Sequence, residues 1–286
     1  MATIDGHVFE KVFRASTNPL RMLPDFIIIG TQKGGTTSLY QYLIDLPTIT
    51  PAYRKEIHFF NLYYYKGLGW YRSHFPIILE KYYAEHIRGQ MLLTGEASPY
   101  YLSHPQAAER VAKTLPHAKL IVLLRNPVDR AYSQYQHQLR QPGVEPLSFE
   151  EALDAEEQRL VGEEEKMLQD PKYLSFNHRH YSYHQRSQYS EQLPQWLNLF
   201  PKEQFLILRS EDLYADPAAI VKQTLAFLNL PAEGMKPTYK PYNDAKYAPM
   251  KAETRQRLVE YFKPYNARLY ELLGRDFGWD TYDANH

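Results

Sequence analysis

Residues 25–40 read DFIIIGTQKGGTTSLY, and they contain the clearest structural pattern in the chain. Residues 27–29 are three consecutive β-branched side chains between Pro24 and Gly30, which predicts a parallel strand buried on both faces. The two glycines that follow allow successive backbone N–H groups to face an anion, and the hydroxyl residues 36–38 open a helix whose positive dipole end points the same way. The stretch therefore predicts a strand, a phosphate-binding turn and a helix.

The spacing of this loop resembles a Walker A loop, with one difference. Gly30 and Gly35 are separated by four residues, and Thr37 stands where a magnesium-binding hydroxyl is expected. The lysine that should follow the second glycine is Thr36, and Lys33 lies inside the loop instead. A kinase would lack its main cation for a terminal phosphoryl group, whereas a shorter anionic group could still be held. An ordinary glycine turn is the alternative, but the added lysine and hydroxyls favour an anion site.

The composition excludes several classes of protein. The 286 residues contain 33 Lys+Arg and 33 Asp+Glu, so no overall basic field attracts nucleic acid or an anionic membrane. The chain has no cysteine, which excludes a disulfide framework, thiolate catalysis and cysteine-ligated zinc. Residues 1–21 contain no continuous apolar segment, so we expect no signal peptide, no membrane anchor and a cytoplasmic protein.

Apolar runs alternate with helical patterns along the rest of the chain. This order predicts a three-layer, P-loop-like α/β fold with a mainly parallel central sheet flanked by helices. Residues 1–24 are predicted to be an N-terminal extension, and residues 25–286 a single domain. Further strands are predicted at Met91–Gly95, Lys119–Leu124 and Gln204–Leu208.

A candidate general base lies shortly after the first helix. Residues 55–61 are predicted to form a strand, because apolar Ile57 and Phe59 alternate with polar neighbours. Glu56 and His58 would then share one face, and a carboxylate beside an imidazole suits proton abstraction. A surface glutamate and a hydrogen-bonded core histidine are an equally good interpretation of the pair.

A candidate phosphate ligand follows the most apolar predicted strand. Arg125 comes directly after Lys119–Leu124, so its guanidinium is predicted to enter the same crevice as the glycine loop. A planar guanidinium suits a phosphate. Ser133, on a helix predicted at 129–139, could donate its hydroxyl to the same anion. The alternative is that Arg125 pairs with a carboxylate and Ser133 only packs.

Two clusters of charged residues are assigned no chemistry. The acidic run 163–166 is predicted to be a solvated helix face. His178, His180 and His184 are close in sequence, but their spacing fits no established zinc pattern, so no metal site is predicted.

Four blocks of the chain, in order, resemble the sulfotransferase family. The blocks are Gly30–Leu39, Lys55–Phe60, Leu123–Ser133 and Leu272–Trp279. The resemblance implies transfer of a sulfuryl group from 3'-phosphoadenosine 5'-phosphosulfate (PAPS) to an acceptor hydroxyl or amine, leaving adenosine 3',5'-bisphosphate. It also makes the missing Walker lysine understandable, because no magnesium is needed for this transfer in the family.

The resemblance implies a role for each matching residue. Lys33 would stabilise charge on the bridging oxygen as the bond to sulfur breaks, and Glu56 would deprotonate the acceptor with His58 beside it. The residues implied to bind the cofactor are Lys33, Gly34, Gly35, Thr36, Thr37 and Ser38 at the 5'-phosphosulfate, Arg125 and Ser133 at the 3'-phosphate, and Lys246 and Tyr247 in a C-terminal cofactor loop. The glycine often present in that last loop is absent here.

One departure from the family pattern bears on the acceptor. Glycosaminoglycan sulfotransferases usually carry Glu-Lys followed by Ser or Thr after the second strand, and here Ala97 replaces that lysine between Glu96 and Ser98. Together with the zero net charge, this favours a small metabolite or a carrier-bound β-hydroxyacyl chain, as in the similar sulfotransferase domains of polyketide and olefin synthases. The alternatives are a heparan-like glycan acceptor, a P-loop-type kinase and a catalytically silent nucleotide-binding scaffold.

Overall fold

A computed structural model of the chain describes residues 6–232, 238–240 and 247–280. These residues form one five-stranded sheet in which every pairing is parallel, with the strand order β2-β3-β1-β4-β5. The strands are β1 (Phe26–Gly30), β2 (Ile49–Pro51), β3 (Leu93–Ala97), β4 (Lys119–Leu124) and β5 (Phe205–Arg209). The predicted parallel sheet is confirmed, and β4 has the predicted bounds.

Helices connect the strands and cover the sheet. They are α1 (Gly6–Ser16), α2 (Thr36–Ile44), α3 (Gly67–Arg72), α4 (Ile78–His86), α5 (Ala107–Thr114), α6 (Pro127–Leu139), α7 (Phe149–Leu160), α8 (Glu163–Gln169), α9 (Phe176–His180), α10 (Tyr189–Leu197), α11 (Ser210–Ala215), α12 (Pro217–Leu228) and α13 (Ala252–Leu273). Among the helices in these ranges, none combines the length and the hydropathy that a membrane span requires.

Strand β1 is the centre of the molecule, and its side chains alternate between two cores. Ile27 and Ile29 pack in the core that contains residues of α5, α10 and α13. Phe26 and Ile28 pack in the core that contains residues of α2 and α12. Each of these side chains is fully buried, and burying one such side chain contributes about 1.5–3 kcal/mol. The sheet is therefore covered on both faces, which confirms the three-layer α/β fold.

The strand order places a crevice at the carboxyl end of β1. Phe26 pairs with Gly95 of β3 on one side and with Lys119 of β4 on the other. The connections from β1 lead first towards the β2 edge and then back to β4, so the chain changes direction across β1. Ligands of open parallel sheets bind at such a point. The segments that follow β1, β3 and β4 meet there.

The strand predicted at residues 55–61 is wrong. Glu56 and His58 have φ angles of 59° and 57°, which belong to the left-handed region, and a π-helical turn follows at Phe59–Tyr63. The aromatic ring of Phe59 stacks on Tyr71 with centroids 4.5 Å apart. Local alternation predicted a strand, but the packing of these rings in the core determines the backbone.

The prediction of a solvated face at residues 163–166 is also wrong for one residue. Glu163 has only 5% of its surface exposed. Its carboxylate accepts hydrogen bonds from Tyr173 at 2.8 Å, from Ser175 and from Lys166 at 2.8 Å. Since a buried carboxylate needs such partners, Glu163 ties α8 to the segment before α9.

The predicted N-terminal extension contributes side chains to the rest of the protein. Arg21 donates a 2.7 Å hydrogen bond to the carbonyl of Phe75, and Met22 is buried in the core beside the sheet. The boundary at residue 24 stays a prediction.

Candidate active site

The glycine loop between β1 and α2 is tightly folded. Gly35 has a φ of +86°, and Lys33 has a φ of 72°, which is rare for a residue with a Cβ. A Cβ at Gly34 would lie 2.7 Å from the carbonyl oxygen of Leu123. No side chain caps the start of α2, and the first N–H groups of a helix have no acceptor within the helix. The loop therefore presents backbone donors to the crevice.

Residues from five segments of the chain line one pocket at this loop. Glu56 from the segment after β2, Arg125 from the end of β4 and Ser133 from α6 all border it. The lining residues are Gln32, Lys33, Gly35, Thr36, Thr37, Ser38, Glu56, Pro99, Arg125, Ser133, His137 and Tyr214. Most of the residues predicted from the sequence are thus brought together.

Two cations lie on the anion-binding side of the pocket. The Arg125 guanidinium donates a 3.0 Å hydrogen bond to the carbonyl of Lys33 and so contacts the glycine loop directly. Burial and the neighbouring guanidinium groups, Arg125 first among them, lower the pKa of Lys33 to about 8. The pocket therefore holds concentrated positive charge, which an anionic ligand would relieve.

Arg125 is surrounded by phenols as well as by the loop. Burial by itself would lower the pKa of Arg125, but Tyr214, Tyr247 and Asp129 raise it above its usual value. Tyr247 also packs edge-on against Tyr132, with centroids 5.4 Å apart. Tyr247 therefore reaches the predicted phosphate site, whereas Lys246 lies outside the described residues.

Glu56 borders the pocket, forms an ion pair with Lys55 and contacts the imidazole of His58. Its carboxylate is 2.6 Å from Lys55 Nζ and 3.3 Å from His58 Nε2. Burial by itself would raise the pKa of Glu56, but the hydrogen bonds and charges of His58 and Lys55 lower it to about 2. The carboxylate is therefore ionised throughout the neutral range and can only accept a proton.

The orientation of His58 is set by its other ring nitrogen. Asn61 Nδ2 lies 3.2 Å from His58 Nδ1. If the amide donates to Nδ1, the neutral imidazole carries its proton on Nε2 and donates it to Glu56. The predicted contact between Glu56 and His58 therefore exists, although the strand that was expected to produce it does not.

Four lining residues were not predicted from the sequence. Gln32 lies inside the quoted loop, and Pro99 follows β3. His137 stands four residues after Ser133 on α6, so helical spacing could have identified it. Tyr214 lies on α11 directly after β5, and the rule that ligands bind at strand ends could have identified it. Fold and pocket together define a P-loop-like α/β protein with a site for a phosphate-type anion.

Comparisons with known proteins identify the family. The profile of the sulfotransferase domain matches residues 23–267. A membrane-associated sulfotransferase of Dictyostelium discoideum is 34% identical over 92% of this chain and 68% of its own length. A heparan sulfate glucosamine 3-O-sulfotransferase (3A1) of Mus musculus is 32% identical over 91% of this chain and 65% of its own length. The chain thus spans about two thirds of these relatives.

A solved structure agrees with the sequence matches. The crystal structure of a sulfotransferase from Alicyclobacillus acidocaldarius has a TM-score of 0.70 and 30% identity, and the match covers 91% of this chain and 100% of that one. The chain belongs to the sulfotransferase family, which uses PAPS as its cofactor. The kinase alternative is thereby set aside.

The pocket fits the sulfated and phosphorylated cofactor. A side chain at Gly34 would clash with the carbonyl oxygen of Leu123, and no side chain caps the first N–H groups of α2, so these groups can bind an anion. Lys33 and Arg125 add positive charge, and Glu56 is the one carboxylate that borders the pocket in the described part of the chain. Among those residues, no group of three or more His, Asp or Glu side chains could hold a metal ion.

Replacing Arg125 tests the phosphate site. We expect Arg125→Gln to weaken binding of adenosine 3',5'-bisphosphate by about 1.5–3 kcal/mol, because a charged hydrogen-bond donor is lost. Titration calorimetry measures the change. Arg257→Gln, which removes an exposed arginine paired with Asp154, is the control and should leave the affinity unchanged. Equal affinities of wild type and Arg125→Gln would contradict the assignment.

The pKa of Lys33 predicts a pH dependence of cofactor binding. The ligand-free lysine loses its charge above about pH 8, and a bound anion favours the charged form. Binding should therefore take up close to one proton at pH 9 and almost none at pH 6.5, and affinity should fall as the pH rises above 8. Calorimetry in two buffers of different ionisation enthalpy measures the uptake. Unchanged uptake in Lys33→Met would show that another group is responsible.

Proposed function

We propose that this protein transfers the sulfuryl group of PAPS to an acceptor hydroxyl, with Glu56 as the general base. The observation that supports the proposal is that Glu56, Lys33 and the start of α2 border the same pocket. An anion held at the start of α2 would lie within reach of both the lysine and the carboxylate. This is the arrangement that group transfer between two oxygens requires.

Each residue has a defined task in this proposal. PAPS supplies an activated sulfuryl group when bound. Lys33 and the N–H groups of the loop stabilise the negative charge that develops on the bridging oxygen of the leaving nucleotide. Arg125 and Ser133 bind the 3'-phosphate. Glu56 accepts the acceptor's proton, and His58 holds the carboxylate in position. Tyr247 also contributes to the cofactor site, and the family resemblance assigns Lys246 to the same loop.

The low pKa of Glu56 constrains the order of events. A carboxylate with a pKa of about 2 cannot deprotonate a free alcohol to a useful extent. By analogy with phosphoryl transfer, the transition state is loose, and the hydroxyl becomes acidic only as it bonds to the electrophile. Glu56 therefore takes the proton late, and its earlier task is to orient the hydroxyl by accepting its hydrogen bond.

For the acceptor, we propose a hydroxyl of a small metabolite or of a carrier-bound β-hydroxyacyl chain. Ala97 is fully buried at the end of β3, so the position after Glu96 contributes no cation to the cleft. The chain also has no net positive charge with which to attract a polyanion.

An anionic glycan is the second candidate, and one group of residues favours it. Arg54 and Lys66 both lie over the rings of Tyr63 and Trp70, at 4.6 to 5.8 Å from the ring centroids. Arg54 also donates a 3.0 Å hydrogen bond to the carbonyl of Ile57, beside the base. Aromatic rings with adjacent cations suit sulfated sugars, and the M. musculus relative is named for heparan sulfate.

Transfer of radiolabelled sulfate from PAPS separates these acceptors. Hydroxyacyl carrier proteins, sterols, phenols and partly sulfated heparan chains are offered in parallel to the wild type and to an Arg54→Gln, Lys66→Gln double variant. Transfer to small or carrier-bound hydroxyls that the double variant retains would support the first proposal. Transfer to heparan alone, lost in the double variant, would support the second. Binding of the bisphosphate with no transfer to any acceptor would favour a silent scaffold.

We also propose a cytoplasmic location, which rests on the composition of the chain. The D. discoideum relative is named as membrane-associated, and that is the opposing outcome. Fractionation of cells that express the tagged chain, followed by a salt wash of the membranes, distinguishes the two.

A further inference from the structure

Glu96, at the end of β3, is a fully buried carboxylate that has no task in the mechanism above. It accepts hydrogen bonds from Tyr71 at 2.6 Å, from Ser98 at 2.7 Å and from Tyr101 at 3.2 Å. In the described part of the chain, no Lys, Arg or His lies within ion-pair distance of it. Burying a carboxylate that has only hydroxyl partners costs free energy. A glutamate at this position is therefore expected to have a function that offsets this cost.

The carboxylate decides the direction of these hydrogen bonds. An ionised carboxylate has no proton to donate, so all three hydroxyls must donate to it. Their lone pairs then remain available to other donors. Ser98 Oγ accepts the backbone N–H of His58 at 3.2 Å, and the Tyr101 hydroxyl accepts the backbone N–H of Phe60 at 3.4 Å.

These two bonds act on the segment that carries the base. The N–H of Glu56 also donates to the carbonyl of Ala97 at 3.1 Å, so the end of β3 holds residues 56–60 at three points. The same segment contains the left-handed backbone at Glu56 and His58. Such conformations are unfavourable for residues with a Cβ and persist only where neighbouring structure maintains them.

We propose that Glu96 is a positioning residue for the base: through Ser98 and Tyr101 it holds the strained backbone that directs Glu56 into the pocket and keeps His58 beside it. Glu96 acts through its neighbours, whereas Arg125 and Ser210 support the nucleotide-binding loop by donating to the carbonyls of Lys33 and Gly34. Loss of the carboxylate should therefore lower kcat and leave the affinity for the nucleotide unchanged. The inference rests on the proposed role of Glu56 as the base.

A pH effect accompanies this role. Burial raises the pKa of Glu96 to about 7, although Tyr71, Ser98 and Tyr101 each oppose the rise by hydrogen bonding. Arg54 also lowers the pKa of Glu96. Tyr40 of α2 remains neutral in this range, because burial, and to a smaller extent Glu96, raise its pKa to about 12. Protonated Glu96 would become a donor, and one hydroxyl would have to reverse. The support of residues 56–60 is thus complete only above about pH 7.

The test compares Glu96→Gln and Ser98→Ala with wild type in steady-state assays and in calorimetry with adenosine 3',5'-bisphosphate. Glu96→Gln keeps the shape but introduces a donor, and Ser98→Ala removes the bond to His58 while leaving Glu96 and its tyrosines in place. Each variant should lose about 10- to 100-fold in kcat, the range expected for a misplaced catalytic group. The Kd of the bisphosphate should stay within twofold. If Glu96→Gln does not fold, Ser98→Ala carries the test.

Two further measurements separate positioning from general destabilisation. Glu163→Gln is the matched control, because Glu163 is also a buried carboxylate held by a tyrosine and a serine, outside the pocket. It should retain wild-type kcat. The ratio of wild-type to Glu96→Gln kcat should be largest above pH 8 and shrink below pH 6, and this ratio cancels titrations common to both proteins.

Several results would contradict the positioning role of Glu96. A kcat of both variants within twofold of wild type, a ratio that is constant with pH, or an equal loss in Glu163→Gln would overturn the inference. Glu56→Gln is measured alongside. If Glu56→Gln is inactive while Glu96→Gln is fully active, only the positioning role fails. If Glu56→Gln keeps its turnover, the base assignment itself fails.

Discussion

Glu56→Gln should lower kcat by about 10²- to 10⁴-fold, the usual contribution of a general base. Glutamine keeps the size of the side chain and can still accept a hydrogen bond, but it cannot take up a proton. The affinity for adenosine 3',5'-bisphosphate should not fall, because the carboxylate faces that side of the pocket with a charge of the same sign as the ligand. Steady-state sulfate transfer and calorimetry on the same preparation provide both numbers.

The control for this variant is Asp154→Asn, which neutralises an exposed carboxylate paired with Arg257 on the surface. It should match the wild type in both assays. Retention of more than a third of wild-type kcat in Glu56→Gln would show that the acceptor needs no base at this position. If the wild type itself binds the bisphosphate but shows no turnover with any acceptor, the chain is a binding module, and the variant has nothing to lose.

The central part of the fold was predictable because some segments permit a single interpretation. The apolar runs at 26–30 and at Lys119–Leu124 can be buried only inside a sheet covered on both faces, and each is found there. The segment that follows each strand then had to border the crevice. That is why Lys33 and Arg125, 92 residues apart in sequence, are joined by a hydrogen bond in the structure.

In residues 55–61, the alternation of apolar and polar residues did not predict the backbone conformation. Residues 55–61 alternate like a strand, yet the aromatic rings at 59 and 60 pack against Tyr71 and Tyr101, and the backbone at Glu56 and His58 turns left-handed. Only the assembled core decides between these conformations. The contact between Glu56 and His58 was still predicted, because the two residues are so close in sequence that several backbone conformations bring them together.

Contacts between residues that are distant in sequence could not be predicted, for a different reason. Glu96 of β3 and Tyr71 of α3 are 25 residues apart in sequence, and they meet through the hydrogen bond from the tyrosine hydroxyl to the carboxylate. The composition of neither segment predicts the contact between Glu96 and Tyr71. A glutamate inside an apolar strand is itself a signal, however, since a buried carboxylate must be satisfied by hydrogen bonds. The predicted strand at 91–95 ended one residue before it, so that signal was lost.

Lys33→Met should lower kcat by about 10²- to 10³-fold, the cost of removing one donor from a site where negative charge develops. Methionine retains the hydrophobic part of the side chain, so packing of the loop changes little. The decrease in kcat then measures the effect of removing the ammonium charge. The effect on kcat should exceed the effect on the Kd of adenosine 3',5'-bisphosphate. The reason is that charge on the bridging oxygen grows as the bond to sulfur breaks, and a charge that grows is stabilised more in the transition state than in the ground state.

The control for this variant is Lys251→Met. Lys251 is an exposed lysine directly before α13, and it pairs with Glu150 of α7. This control variant should leave both quantities unchanged. Equal losses in kcat/KM for PAPS and in bisphosphate affinity, with kcat unaltered, would assign Lys33 to binding alone. Combining Lys33→Met with Glu56→Gln adds a further criterion. If the ammonium serves the departing side and the carboxylate serves the acceptor, both act on one transition state from opposite ends, and the double variant should lose less than the product of the two single losses.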